Sequence, residues 1–152
     1  MIFLDSSILV EYTKEDRVDL LEEMLLRQFP LGYNSIVLTE YVYHFMGYHG
    51  GRSPRALQEA QRITDVFSEH NPMVMLDLFE QLTDKHPPTE EVLRLMKTYN
   101  LLPNDAIILA HCLTSSISYL ASYDSVFQEP CHQEGIILID SVDALNAHFP
   151  VS

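Results

Sequence analysis

Short apolar runs alternate along this chain with stretches of helical periodicity. Ile2-Phe3-Leu4 runs into Asp5, which predicts a buried strand with a carboxylate at its C-terminal end. Asp5, Ser6 or Ser7 can then cap a helix reaching about Tyr12. From Asp16 onward Val18, Leu21, Leu25, Leu26 and Phe29 recur at helical spacing until Pro30 and Gly32 stop the pattern. Ile36, Val37 and Leu38 predict a second strand, which Thr39, Glu40 and the aromatic segment YVYHF turn into a helix. After Gly47, Gly50 and Gly51, Ser53-Pro54 starts a helix to about His70. Met73 to Leu76 predicts a third strand, followed by an acidic connector ending in Pro87 and Pro88. Thr89 caps a helix to Tyr99, and Pro103-Asn104-Asp105 opens a nearly continuously apolar one, AIILAHCL. Tyr119 to Ala121 and Ile136 to Ile139 predict the last two strands, and Ser141 caps a final helix before Pro150.

Strands alternating with helices predict an α/β fold with a mostly parallel sheet of about five strands, covered on both faces. No repeat or linker divides the chain, so residues 1–152 read as one domain. With 47% hydrophobic and 20% charged residues the balance is that of an ordinary globular protein. No apolar run approaches the ~20 residues that a membrane-spanning helix needs. The start MIFLDSS is too short and too acidic for a signal peptide, so a soluble, cytoplasmic protein without membrane association is expected. Cys112 and Cys131 have no paired-thiol spacing and suggest neither a disulfide framework nor a zinc site.

Charge changes the picture. Nine Lys and Arg against 22 Asp and Glu give a net charge of -13, which disfavours a nonspecific coat for nucleic acid. A polyanion could still be held through cations bound to carboxylates, or through a local basic patch. Asp5, Glu40, Asp105 and Asp124 each fall at a predicted strand end or helix opening, and in open α/β sheets ligands bind beyond the carboxyl ends of the strands. Singly, each acid could be a cap. Together they form a site with a problem, since two carboxylates ~4 Å apart repel by roughly 4 kcal/mol at an effective dielectric near 20. A divalent cation relieves that repulsion, and hard oxygen donors without nearby His or Cys suit Mg²⁺ or Mn²⁺. The chemistry implied is phosphoryl transfer to water.

Asp5-Ser6-Ser7 after IFL, Thr39-Glu40 after SIVL, Asp105-Ala106-Ile107-Ile108 after LLPN, and Asp124 with Phe127 after YLASY resemble the four motifs of PIN-domain ribonucleases. In size and layout the chain is similar to the toxin component of VapBC toxin-antitoxin pairs. The resemblance implies a three-layer α/β/α sandwich and Mg²⁺- or Mn²⁺-dependent cleavage of RNA, leaving a 5′-phosphate and a 3′-hydroxyl. It places Asp5, Glu40, Asp105 and Asp124 as the metal-binding and catalytic set, with Ser6 orienting Asp5 by a hydrogen bond. It also implies a homodimer and a small antitoxin whose basic or aromatic segment occupies the acidic groove. The chain departs from the pattern at Val126, where family members often carry another acid, and at Leu109 and His111, where alanine is usual. The alternative is a catalytically inactive PIN-like module that binds RNA or serves as a scaffold.

Arg52, Arg55 and Arg62 are candidate RNA contacts beside a glycine-rich turn, or else a solvated helix face paired with Glu59 and Asp65. The histidines lack zinc-enzyme spacing and read as structural or surface residues, with His111 packed on its apolar helix. Tyr41, Tyr43 and Phe45 read as core or dimer contacts. A haloacid-dehalogenase-type phosphatase would need an acid where Ser7 stands, and a receiver domain would need an acidic pair before its phosphoacceptor.

Overall fold

The computed structural model describes residues 1–83 and 86–151. Five strands form one sheet: β1 (Ile2–Leu4), β2 (Leu31–Tyr33), β3 (Glu80–Gln81), β4 (Tyr119–Ala121) and β5 (Ile137–Ile139). All neighbours pair in parallel, in the order β3-β2-β1-β4-β5. Central β1 is buried along its whole length, as a strand covered on both faces must be. Its Ile2, Phe3 and Leu4 sit opposite Tyr119, Leu120 and Ala121 of β4.

The helices are α1 (Ser6–Thr13), α2 (Asp19–Leu26), α3 (Ser35–Gly50), α4 (Pro54–Glu59), α5 (Ile63–Glu69), α6 (Met73–Leu76), α7 (Thr89–Tyr99), α8 (Pro103–Thr114), α9 (Gln128–Glu134) and α10 (Val142–His148). From β1 the chain steps outward to β2 and β3, then returns past β1 to β4 and β5. Right-handed crossovers put the first set of connections on one face of the sheet and the second set on the other. The expected three-layer α/β/α sandwich is what forms. Reversal of strand order between β1 and β4 also creates a switch point, where the loops leaving the two strands diverge to opposite faces and open a crevice.

Two expected strands are helical. Ile36, Val37 and Leu38 form the first turn of α3, and the strand before them is Leu31-Gly32-Tyr33. The cause is Asn34, buried, whose Oδ1 accepts from the Ile36 and Val37 amides at 3.1 Å each and so starts the helix early. Gly32, read as a breaker, lies within β2 because a Cβ there would approach the Glu80 carbonyl oxygen, Leu82 and the Met1 sulfur at 3.2 Å. Met73 to Leu76 is α6, with Val74 75% exposed, and the strand is the polar pair Glu80–Gln81 at the sheet edge. The expected helix from Pro54 to about His70 is broken at Ala60–Arg62, where Gln61 takes a left-handed conformation (φ 56°). Thr89 is the first residue of α7 rather than its cap. The 3-10 turn Ser125–Phe127 and α9 were not anticipated.

Asn34→Ala should lower stability by about 1–2 kcal/mol, since it removes an N-cap and leaves the buried Val37 amide and the partly buried Ile36 amide unpaired. Urea unfolding with an unchanged m-value checks this, and an unaltered midpoint would contradict the cap assignment.

Candidate active site

The site is assembled from short-range geometry at the carboxyl ends of β1 and β4. Asp5 follows β1 directly and its amide continues the parallel ladder, donating to the Ala121 carbonyl at 2.9 Å. Its carboxylate is buried, 5% exposed, and one oxygen, Oδ2, accepts from Ser7 Oγ at 2.6 Å, from Ser122 Oγ at 2.7 Å and from the Ser7 amide at 3.3 Å. Ser122 leads on from β4, so β1 and β4 are tied together across the switch point. The same hydroxyls accept from the next amides of the β4 loop: Tyr123 N donates to Ser7 Oγ, and Asp124 N to Ser122 Oγ, each at 3.0 Å. Asp124 in turn accepts from the Val126 amide at 3.0 Å and starts the 3-10 turn.

Glu40 arrives from another layer, in the second turn of α3, where the Asn34 cap sets the helix phase. Ser6 Oγ donates to its Oε2 at 2.8 Å and Asn104 Nδ2 to its Oε1 at 2.7 Å. Asp105, next to Asn104 in the first turn of α8, is half-buried and receives no hydrogen bond among the described residues. All four acids line one cleft of about 310 Å³ together with Ser6, Ser7, Glu11, Lys14 and His44. A larger hollow of about 670 Å³ at the opposite end of the strands, between Met1, Glu80 and Ser118, gathers no carboxylate cluster.

Electrostatics mark the cleft as strained by like charge. Burial, then the neighbouring Asp124, Asp5 and Glu40, push the Asp105 carboxyl up to about 6. Burial also raises that of Asp5, against the opposing pull of its serine hydrogen bonds, and Glu40 adds to the rise. As a donor set the residues fit a hard divalent cation: all are carboxylates, and Asp105 has no partner for its charge among the described residues. Among the described residues no three of the acids, histidines or cysteines already converge to bonding distance around one point. Side-chain rotation would have to complete the shell.

A family model for the PIN domain matches residues 2–143. The chain belongs to the PIN-domain family. It is 30% identical over 139 residues to "Ribonuclease VapC6" of Methanocaldococcus jannaschii, an alignment covering 84% of this chain and 91% of that protein. Its fold is similar to the FitAcB structure of Neisseria gonorrhoeae (TM-score 0.60, 18% identity, 91% of this chain and 96% of that one). It is also similar to a toxin-antitoxin complex from Klebsiella pneumoniae (TM-score 0.54, 17% identity, 84% and 90%).

In this PIN domain the four acids expected from the sequence share one cleft, although Glu40 reaches it from within a helix and not from a strand end. Ser6 differs from expectation: it holds Glu40, while Ser7 and Ser122 hold Asp5. Arg52 and Arg55 lie past the far end of α3, roughly 16 Å along the helix from Glu40. Arg55 pairs with Glu59 at 3.0 Å and Arg62 with Asp65 at 2.9 Å, which favours the solvated-face reading for both. His111 is packed, 2% exposed, against Phe3. Tyr41 and Phe45 are core residues and Tyr43 is exposed. Both cysteines are free and buried.

Lys14 and His44 in the cleft, and Ser122 and Asn104 as hydrogen-bond donors to its acids, were not anticipated. Only His44 carried a signal, standing four residues after Glu40 on the same helix.

The raised proton affinity of Asp105 has a signed consequence. The folded protein holds this proton more tightly than the unfolded chain does, so the associated stability is complete below pH ~4 and is lost as pH rises through about 6. Asp105→Asn abolishes that loss. In EDTA the variant should match the parent near pH 4.5 and melt a few degrees higher at pH 7.5, as thermal denaturation across that range will show. A melting difference independent of pH would contradict the assignment.

Proposed function

We propose that this protein is a divalent-metal-dependent endoribonuclease and the toxin of a toxin-antitoxin pair. The observation that carries the reading is the convergence of Asp5, Glu40, Asp105 and Asp124 on one cleft at the sheet's switch point, with no donor to Asp105 among the described residues. The relative from Methanocaldococcus jannaschii, named a ribonuclease, supports the activity, and the Klebsiella complex supports an antitoxin partner. RNA is the substrate on this reading, Mg²⁺ or Mn²⁺ the cofactor, the cytoplasm the compartment and a homodimer the working form.

Asp5, Glu40, Asp105 and Asp124 are the groups that would hold the ion. A divalent cation bound there supplies polarisation of the phosphodiester and acidification of a water molecule. The serines fix the carboxylates of Asp5 and Glu40, so little orientation has to be found during turnover. Asp105, which receives no hydrogen bond among the described residues, has both carboxylate oxygens open to the ion or to the attacking water.

Purified protein incubated with a mixed pool of structured and single-stranded RNA should cut it with Mn²⁺ or Mg²⁺ and not with EDTA. Asp105→Asn should retain the fold and lose about 10²-fold or more in rate, because a charge that stabilises the transition state is gone. Mn²⁺ should raise the melting temperature of the parent by more than that of the variant. Cutting in EDTA, or an undiminished variant, would refute the site. A folded protein indifferent to Mn²⁺ that binds RNA without cutting it would point to the inactive module.

A further inference from the structure

We propose that Arg17 and Lys14 form a phosphate-docking rim that positions the RNA backbone across the carboxylate cleft. The inference rests on the ribonuclease reading and answers a difficulty within it. A protein of net charge -13, with Glu11 lining the cleft beside the four site acids, repels a polyanion, so some cation close to the cleft has to hold it.

Half of the described basic side chains are arginines already held by carboxylates. Arg27, Arg55, Arg62 and Arg94 each form an ion pair with a nearby carboxylate. Arg17, Arg52 and Lys97 form none among the described residues. Of these three, Arg17 is the one tied, through Tyr123, to the residues that hold the site acids. Its guanidinium lies over the Tyr123 ring, 3.5 Å from the ring centre, and the Tyr123 hydroxyl donates to the Arg17 carbonyl at 3.2 Å. The Tyr123 amide donates to the Ser7 hydroxyl that holds Asp5, and the next residue is Asp124.

Arg17 is therefore fixed to the frame that orients two of the catalytic acids, although it lies more than 100 residues before Tyr123 in sequence. Glu11 and Asp19 also face Tyr123, but neither closes an ion pair with Arg17. A guanidinium stacked on a ring keeps its N–H edge free for an anion and loses little side-chain entropy when it binds one. Lys14, from the same connector between α1 and α2, lines the cleft itself, with Glu11 at 3.6 Å as its ion-pair partner. Both are exposed. Together they offer a forked donor stacked on Tyr123, the residue before Asp124, and a point charge lining the cleft, both suited to phosphate oxygens.

The test uses a fluorescein-labelled single-stranded RNA of random sequence, about 20 nucleotides long, bound in EDTA and followed by anisotropy across a salt series. Arg17→Ala and Lys14→Ala should each weaken binding about 5–20-fold near 0.1 M salt and reduce the log-log salt slope by about 0.7. Arg17→Lys should recover part of the loss. Tyr123→Leu should weaken the parent but add nothing to Arg17→Ala, because the ring acts through Arg17. Arg52→Ala removes an equal charge away from the cleft and should stay within about twofold of the parent. In cleavage with Mn²⁺, Arg17→Ala should raise KM and leave kcat near the parent value. Equal losses from Arg17→Ala and Arg52→Ala would overturn the rim in favour of bulk charge. Metal-dependent cutting by the parent with an unaffected Arg17→Ala would overturn the rim alone and assign Arg17 to some other contact. A parent that neither cuts nor binds RNA would overturn the rim and the nuclease reading together.

Discussion

A buried carboxylate at the end of the central strand is the constraint around which this molecule is organised. Removing an ionised group from water costs several kcal/mol unless hydrogen bonds replace the lost hydration. Asp5 meets that condition with donors drawn from both flanks of the switch point, Ser7 from α1 and Ser122 from the end of β4. Because each serine hydroxyl also accepts from an amide of the loop after β4, satisfying Asp5 fixes the path of that loop. The position of Asp124 follows from this path. No buried side-chain polar atom among the described residues is left without a partner, so the network is closed.

The other half of the cleft is built by helix starts. Asn34 sets the phase of α3 and thereby brings Glu40 to face Ser6. Pro103 opens α8, so that Asn104 can reach Glu40 while the adjacent Asp105 enters the cleft. Helix N-termini carry partial positive charge, and the first turn of α8 offsets part of the repulsion on Asp105. The offset is incomplete, as the raised proton affinity of Asp105 shows. Like charges held at this density are a standing cost to the fold alone.

Such a cleft separates two tasks among the basic residues. Four arginines are spent on surface ion pairs, each worth little at high dielectric, which bind helices to one another or to their own next turn. Arg94 is the most engaged of them, bonded to Glu91 on its own helix and joining α7 to α9 through Glu134. The basic cluster that stood out in the sequence, around Arg52 to Arg62, belongs to this first group in part and lies away from the acids. The cations beside the acids come from an inconspicuous connector.

What the sequence determined by itself was local. Ile2 to Asp5, the Pro103-Asn104-Asp105 helix start and the run into Asp124 were legible because a strand end or a helix opening is written in three or four consecutive residues. The four-acid set was legible for the same reason, as was the alternation that predicts a parallel sheet. Glu40 was found as a residue but placed on the wrong element, since an apolar triplet such as Ile36 to Leu38 fits a buried strand or the inner face of a helix equally well. The edge strand Glu80–Gln81 carries no apolar signal, because it gains its order from pairing with β2 and not from burial. Only tertiary structure decided that Ser7 and Ser122 hold Asp5, that Ser6 turns to Glu40 and that Arg17 rests on Tyr123. Those pairs join residues on different elements or choose between adjacent hydroxyls, and the relative placement of packed elements settles such choices.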